Sequence, residues 1–382
     1  MTTTILYGRP PLVFDPPGAA TQTSPLIPGS TALESLADAS VETAMVYAPP
    51  GVLERRYTLA QALRALKVGG RLDVMAPKDR GGSRLKKELE AFGLEVGESA
   101  KAHHRRCVVV KPEHLVGIDA AISAGALQQV EGLEAWSQPG VFAWDRIDAG
   151  SAQLAAHMPA LKGTGADLGC GYGALATVVL RSDAVTALRL IDLDRRAIEA
   201  ARRNLDDPRA TFEWADVRTL EAVGDLDFIV SNPPFHDGGA EDRRLGQAFI
   251  KKAAEMLKKG GILWLVANRH LPYEAELKIA FRRVTPVTDE RAKVWWSDAR
   301  TLEAKGDKDF VVSNPPFHDG GAEDRRLGQA FIRKAAELLK KSGVAWVVAN
   351  RHLPYEAELN AAFKRVRLVA EAGGYKLFEA VK

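Results

Sequence analysis

Short apolar runs alternate along the chain with stretches in which apolar side chains recur every three or four positions, the pattern of buried strands between amphipathic helices. The run MVYAPPG at 45–51 predicts a strand ending in a Pro-Pro turn. Leu59, Ala62, Leu63 and Leu66 predict a helix over 58–68, closed by Gly69 and Gly70. A strand at 71–76, a charged helix at 83–92 with Leu85 and Leu89 on one face, and a strand at 107–111 follow. That order argues for a parallel α/β sheet. A second α/β run begins after residue 135. It has a strand at 165–168, a Gly-rich turn, a helix through Leu180, a strand at 188–191 ending in Asp192, and a helix at 195–204. A strand at 211–214 ends near Asp216, and one at 227–231 runs into Asn-Pro-Pro-Phe. A helix over about 241–258 places Leu245, Phe249, Ala253 and Met256 on one face. Gly260 and Gly261 end it before the strand ILWLVA at 262–267, and Leu277 and Phe281 mark the next helix.

The same pattern then repeats. Residues 214–284 recur at 296–366 with 57 of 71 positions identical, and 231–250 recur unchanged at 313–332. Each unit is too long and too α/β-like for a two-repeat solenoid. Duplication of half a domain, natural or introduced during gene assembly, is the better reading. A fainter echo links the two halves of the chain. Residues 66–93 have the layout of 257–284, and VYAPPG (46–51) sits where VSNPPF (230–235) would. The N-terminal half therefore reads as a decayed copy of the second domain, with Ala48 in place of Asn and no Gly-rich turn.

Composition adds little. The chain has 382 residues, enough for two or three domains, with 46% hydrophobic and 26% charged residues. A net charge of +3 does not by itself announce a nucleic-acid binder. Cys107 and Cys170 lie far apart, neither at a metal-ligand spacing, so no metal and no disulfide framework is expected. His103 and His104 also lack a ligand partner at the right spacing. Residues 1–14 do not read as a signal peptide, and no apolar run approaches the roughly 18 residues that span a bilayer. A cytoplasmic protein without membrane contact is expected.

Two constellations carry chemistry. The first is Asp167-Leu-Gly-Cys-Gly-Tyr-Gly173, with Gly169, Gly171 and Gly173 between a strand and a helix. Residues without Cβ let a cofactor lie against the backbone. Asp192, at the end of the next strand, is placed to accept hydrogen bonds from ribose hydroxyls, and Asp216 to contact an adenine ring. The second is Ser231-Asn232-Pro233-Pro234-Phe235. An exocyclic amine conjugated to a base is a poor nucleophile. The Asn232 side-chain oxygen and the Pro233 carbonyl can each accept one N–H and aim the lone pair. Prolines stiffen the loop, and Phe235 can stack on an unpaired or flipped base. Arg269 and His236 are candidate substrate contacts. The basic stretch 78–111 could track phosphates or be a solvated face.

DLGCGYG followed by SNPPF resembles class I S-adenosylmethionine-dependent methyltransferases. The fuller text SNPPFHDG…VANRHLPY, with PGVFAWDRIDAGSAQL at 139–154, is similar to the bacterial ribosomal RNA guanine-N2 methyltransferases of the small-subunit methyltransferase C type. The resemblance covers nearly the whole chain except one copy of the repeat. It implies a Rossmann-like methyltransferase domain preceded by a degenerate methyltransferase-like α/β domain, S-adenosylmethionine as cofactor, and ribosomal RNA or the small subunit as partner. It also implies that 139–154 closes over the cofactor, making Phe142, Asp148 and Gly150 further candidates.

The expected domains are 1–135, 136–288 and 289–382. Both copies keep the motif, the second as Asn314, Pro315, Pro316 and Phe317. Only the first lies at a natural distance from the Gly-rich turn, and only the second runs into the closing segment 367–382. The chain can use copy one for the site, loop it out in favour of copy two, or exchange elements between molecules, so self-association through the duplicate is an expectation. Two rivals remain: N-methylation of a protein glutamine or of adenine N6, and a non-catalytic RNA-binding or assembly factor.

Overall fold

The structure, a computed structural model, describes residues 3–234, 236–237, 240–241, 243–267, 273–287, 298–316, 318–319, 322–323 and 325–382. It divides into two compact units, Met1–Pro286 and Val287–Lys382. The first unit opens with a six-stranded sheet of β1 (Thr4–Tyr7), β2 (Thr21–Gln22), β3 (Val41–Tyr47), β4 (Leu66–Pro77), β5 (Gly97–Lys101) and β6 (His104–Val110), in the order β2-β1-β3-β4-β6-β5. Helices α1 (Val52–Ala65), α2 (Leu85–Glu90) and α3 (Ile118–Gly125) accompany it. Leu59 and Leu63 of α1 and Leu85 and Leu89 of α2 pack on Ala44, Val46, Leu72 and Val74 of the sheet.

Two expectations are corrected here. The sheet is not all parallel, because β6 runs antiparallel to both β4 and β5. Only Ala102 and His103, both at positive φ, separate β5 from β6, and a two-residue turn can make only a hairpin. In addition, Gly69 and Gly70 do not close the helix. They lie inside β4, where a Cβ on Gly70 would sit 3.0 Å from the Glu42 carbonyl oxygen.

A short hairpin, β7 (Gln128–Val130) with β8 (Ala135–Ser137), and helix α4 (Ala149–His157) lead to the second sheet. Its strands are β9 (Gly163–Leu168), β10 (Val185–Asp192), β11 (Ala210–Trp214), β12 (Leu226–Ser231) and, beyond the two-residue pair β13 (His236–Asp237) and β14 (Ala240–Glu241), β15 (Leu257–Leu265). All five are parallel, in the order β11-β10-β9-β12-β15. The helices are α5 (Ala174–Val179), α6 (Arg195–Asn204), α7 (Arg243–Met256) and α8 (Tyr273–Ala280). Alternate residues of β12 serve opposite layers, as the period of two requires. Phe228 and Val230 pack with Leu154 of α4 and Leu175 of α5, whereas Ile229 packs with Phe249, Ala253 and Met256 of α7.

The second unit holds β16 (Lys308–Ser313), the pair β17 (His318–Asp319) and β18 (Ala322–Glu323), α9 (Arg325–Leu338), β19 (Leu339–Asn350), α10 (Glu356–Ala362), β20 (Arg365–Ala372) and β21 (Tyr375–Val381). Its sheet runs β16-β19-β21-β20, with β21 antiparallel to both neighbours. Ile332 and Ala335 of α9 and Leu359 of α10 bury Ala345 and Val347 on one face.

One strand–helix–strand ribbon occurs three times, with the same slip in register. Val41 pairs with Leu66 and Thr43 with Arg71; Leu226 with Leu257 and Phe228 with Ile262; Lys308 with Leu339 and Phe310 with Val344. The N-terminal ribbon keeps the geometry of the other two without their chemistry, as a degenerate methyltransferase-like domain should. The second sheet stops at β15, whereas the corresponding β19 carries the antiparallel pair β21 and β20.

Candidate active site

Strand β9 ends at Leu168 in a turn whose glycines, Gly169, Gly171 and Gly173, all have positive φ, a region costly for residues with a Cβ. The Gly169 and Cys170 amides donate to the Ile191 carbonyl, at 2.9 and 3.2 Å, which pins the turn to the end of β10. The space beside Gly171 is open: nothing lies within 4 Å of where its Cβ would be. Its amide donates to Asp192 Oδ2 at 2.8 Å, and the Asp194 amide donates to Asp192 Oδ1 at 2.8 Å. Asp194 in turn caps α6, accepting from the Arg196 amide at 3.0 Å.

Asp167 is the unusual group. It is fully buried, and neither carboxylate oxygen has a hydrogen-bond partner. Burial, reinforced by the Asp192 charge, pushes its pKa up to about 8; the nearby Ala176 amide opposes this but falls short of a hydrogen bond. Burial also raises Asp192, to about 6, against the amides of Asp194 and Gly171. A buried, unpartnered acceptor is costly in an isolated protein and marks a place prepared for a donor.

The Asn-Pro-Pro loop adjoins this turn. Ser231 Oγ donates to the Leu168 carbonyl at 2.7 Å, joining the ends of β12 and β9. A Cβ on Gly169 would lie 3.8 Å from the Asn232 carbonyl oxygen and 3.9 Å from Pro234 Cδ. Asn232 Nδ2 donates to Asp148 Oδ2 at 2.9 Å and to Ser151 Oγ at 3.0 Å. An ionised carboxylate only accepts, so the amide nitrogen must face Asp148, which leaves Oδ1 turned away from it. Asp148 also caps α4, accepting from the Ser151 amide at 2.8 Å. Gly150, in the first turn of α4, faces Val266, whose Cγ2 would lie 3.4 Å from a Cβ there.

The structure thus brings together Asp167, Gly169, Gly171, Gly173, Asp192, Asn232, Pro233, Pro234, Asp148 and Gly150. Asp216 starts a single 3-10 turn after β11, where Arg218 grips its carboxylate at 2.6 Å and holds its pKa low. Phe142 is exposed. Phe235, Arg269 and Phe317 lie outside the described residues, as does the His236 side chain, whose backbone forms β13. In the second unit Asn314 is exposed and Pro315 buried, and among the described residues β16, the strand before them, pairs with β19 alone. Three cations of the basic stretch are paired, Arg106 with Asp73, Arg105 with Glu98 and Lys86 with Glu90. Ser151 was missed by sequence reasoning, although Asp148 followed by a helix is a capping signal that places Ser151 beside it. Among the described residues, no cluster of three or more His, Cys, Asp or Glu could hold a metal ion, and no helix is long and apolar enough to cross a membrane.

Comparison with known proteins gives a consistent answer. The family described as Methyltransferase small domain matches residues 132–292 and again 286–379, one match for each copy of the ribbon. The ribosomal RNA small subunit methyltransferase C of Shewanella halifaxensis (strain HAW-EB4) is 30% identical over 267 residues, 67% of this chain and 76% of the relative. That of Shewanella sediminis (strain HAW-EB3) is 28% identical over 261 residues, 66% and 76% respectively. Among solved structures, the T. thermophilus 16S rRNA N2 G1207 methyltransferase in complex with AdoMet and guanosine shares the fold. It matches at a TM-score of 0.50 and 20% identity, covering 100% of this chain and 88% of that one.

Proposed function

Because the chain belongs to the methyltransferase small-domain family, and within it to the ribosomal RNA small subunit methyltransferase C type, we propose that it methylates the exocyclic N2 of a guanine in 16S ribosomal RNA, using S-adenosylmethionine. The observation that carries the proposal is the hydrogen-bonded junction of Asn232 with Asp148 beside the glycine turn. A cytoplasmic place of action, the small subunit as substrate and self-association through the duplicate belong to the same proposal. The experiment is transfer of a labelled methyl group to unmodified small subunits, followed by nucleoside analysis. N2-methylguanosine is expected; methylated adenosine or methylated protein would sink the reading.

The residues present fit the cofactor. Asp167 offers a buried acceptor for an ammonium group, Gly171 open backbone, and Asp192 an acceptor for hydroxyls. When bound, S-adenosylmethionine supplies an electrophilic methyl group on a sulfonium centre. The protein's part is positioning. Asn232 Oδ1 and the Pro233 carbonyl accept the two N–H bonds of the guanine amine, drawing its lone pair out of conjugation and towards the methyl carbon. The amine nitrogen would take the methyl group as the methyl–sulfur bond breaks, leaving a neutral thioether, and the proton it sheds, on the side held by Asn232 Oδ1 and the Pro233 carbonyl, would pass to solvent. Asp148 and Ser151 act through Asn232: they fix which end of its amide meets the base.

Two expected results follow. The first concerns Asp148→Asn. Asn still caps a helix well, but it can offer either an acceptor or a donor to Asn232. Cofactor affinity by calorimetry stays within a factor of about 2, while kcat falls by up to roughly 10²-fold, the effect of a misplaced reacting group. An equal loss of cofactor affinity would instead place Asp148 on the cofactor. The second concerns pH. A cation binds the ionised form of Asp167, whose pKa of about 8 lies above the unfolded value. Cofactor affinity should therefore rise from pH 6 to a maximum near 8 and fall above it, because an α-ammonium itself loses its proton near 8. The same shift means that the empty protein binds the extra proton, so its folding stability falls as pH rises from about 4 to 8. Calorimetry at pH 7 in buffers of different ionisation enthalpy should detect proton release, and an affinity constant across pH 6–8 would overturn the assignment.

A further inference from the structure

Strand β16 repeats β12 in an environment that lacks half of what covers β12. In the first unit Phe228 and Val230 are 2% and 0% exposed, with β9 along one edge and α4 and α5 over the face. Their counterparts Phe310 and Val312 are 68% and 69% exposed. The cause is topological. Helices α9 and α10 both pack on the face that carries Val311, Ala345 and Val347, and among the described residues β16 ends its sheet. The opposite face shows Phe310 and Val312, with Val344 and Trp346 beside them on β19. An apolar edge strand with open backbone groups is a template for pairing with another chain.

Three other sheet edges are less suited to this. On β11, Glu213 pairs with Arg189 and Arg202 lies over Phe212; β20 carries Arg365, Arg367 and Glu371; and β15 exposes Ile262 behind Lys258 and Lys259. Strand β9, which would fit β16, is already covered in every molecule by β12, so using it means breaking one ladder to form another.

We propose that β16 is a self-association surface whose occupant is β16 of a second copy of this chain, paired antiparallel about a two-fold axis at Val311. The strand is self-complementary in that register. Phe310 meets Val312 of the partner and the reverse, an aromatic opposite a β-branched residue on the uncovered face. Asp309 falls opposite Ser313, and Lys308 opposite Asn314, so no like charges meet. The contact is isologous and closed, giving one eight-stranded sheet across two molecules rather than an open fibre.

The test is sedimentation of the full chain over a range of micromolar concentrations, with methyl transfer as the check on folding. The wild type is expected to double its mass as concentration rises, and Val312→Lys, a change at an exposed position, to remain a monomer with transfer unchanged. Val311→Cys places one thiol from each molecule at the two-fold, and both native cysteines are buried. Mild oxidation should link this variant into covalent dimers, and adding Val312→Lys should abolish the link. A wild type that stays monomeric at every concentration overturns the proposal. So does a dimer that survives Val312→Lys, or one lost on Ile262→Lys instead, since these would point to exchanged ribbons or to the β15 edge.

Discussion

Asn232→Ala is expected to lower kcat for methyl transfer by roughly 10²–10³-fold, the size of effect seen when one preorganised polar group is removed from a reacting centre. Asn314→Ala should leave the rate unchanged. The two side chains sit in near-identical local sequence, so only their surroundings separate them. Asn232 follows a strand that is paired with β9, and its amide is gripped by Asp148 and Ser151. Asn314 is exposed and follows a strand that, among the described residues, has β19 alone as its neighbour. The measurement is labelled-methyl incorporation into unmodified small subunits, with cofactor affinity followed in parallel. Asn232 donates to Asp148 and does not itself cap a helix, so cofactor binding should survive its loss. If transfer instead vanished in Asn314→Ala and persisted in Asn232→Ala, the second ribbon would have to seat on β9 in solution.

What could be read from the sequence was whatever local chemistry dictates. The glycine spacing at 169, 171 and 173 predicts backbone that only glycine adopts cheaply, and all three have positive φ. The Asn-Pro-Pro run predicts a rigid turn after a buried strand, and it follows β12. Gly69 and Gly70 misled, because the same residue type serves two purposes. They read as a helix stop, yet Gly70, and Gly261 and Gly343 after it, let β4, β15 and β19 approach the neighbouring strand's carbonyls. The antiparallel β6 was hidden because Ala102 and His103 are not the usual residues for a turn with positive φ. Local pattern alone does not separate the two ribbons, which differ at only 14 of 71 positions, but the distance from the Gly-rich turn favours the first, and it is β12 that pairs with β9. The Asp148–Asn232 bond spans 84 residues of sequence, so no window of helical or strand periodicity contains both partners.

A buried ion pair that joins distant parts of the chain should have the largest effect on stability. Arg196, at the start of α6, is buried, with Nη1 2.7 Å from Glu54 Oε1 of α1 and Nη2 2.8 Å from Asp194 Oδ2. It therefore ties the N-terminal sheet to the loop that frames Asp192. Beside it, Arg195 Nη2 reaches Glu34 at 2.7 Å, and the Arg195 amide donates to the Pro25 carbonyl at 3.0 Å. Burial raises the pKa of Glu54 in spite of Arg196, so this carboxylate depends on its partner to stay charged. Arg196→Met leaves Glu54 and Asp194 buried without their counter-ion. The expected cost is about 3–5 kcal/mol, because what is lost includes the desolvation of the stranded charges as well as the pair itself. Adding Glu54→Gln should recover part of that loss, the signature of residues coupled in one network. The second expected effect is on ligand binding. Asp194 caps α6 and donates its amide to Asp192, so a slackened Asp194 should weaken cofactor binding by more than Asp148→Asn does. Chemical denaturation of the three variants, paired with calorimetry, measures both. An Arg196→Met protein as stable as the wild type would show that the Arg196 ion pairs are dispensable, and that the Arg195 contacts and apolar packing suffice to join the degenerate domain to the catalytic one.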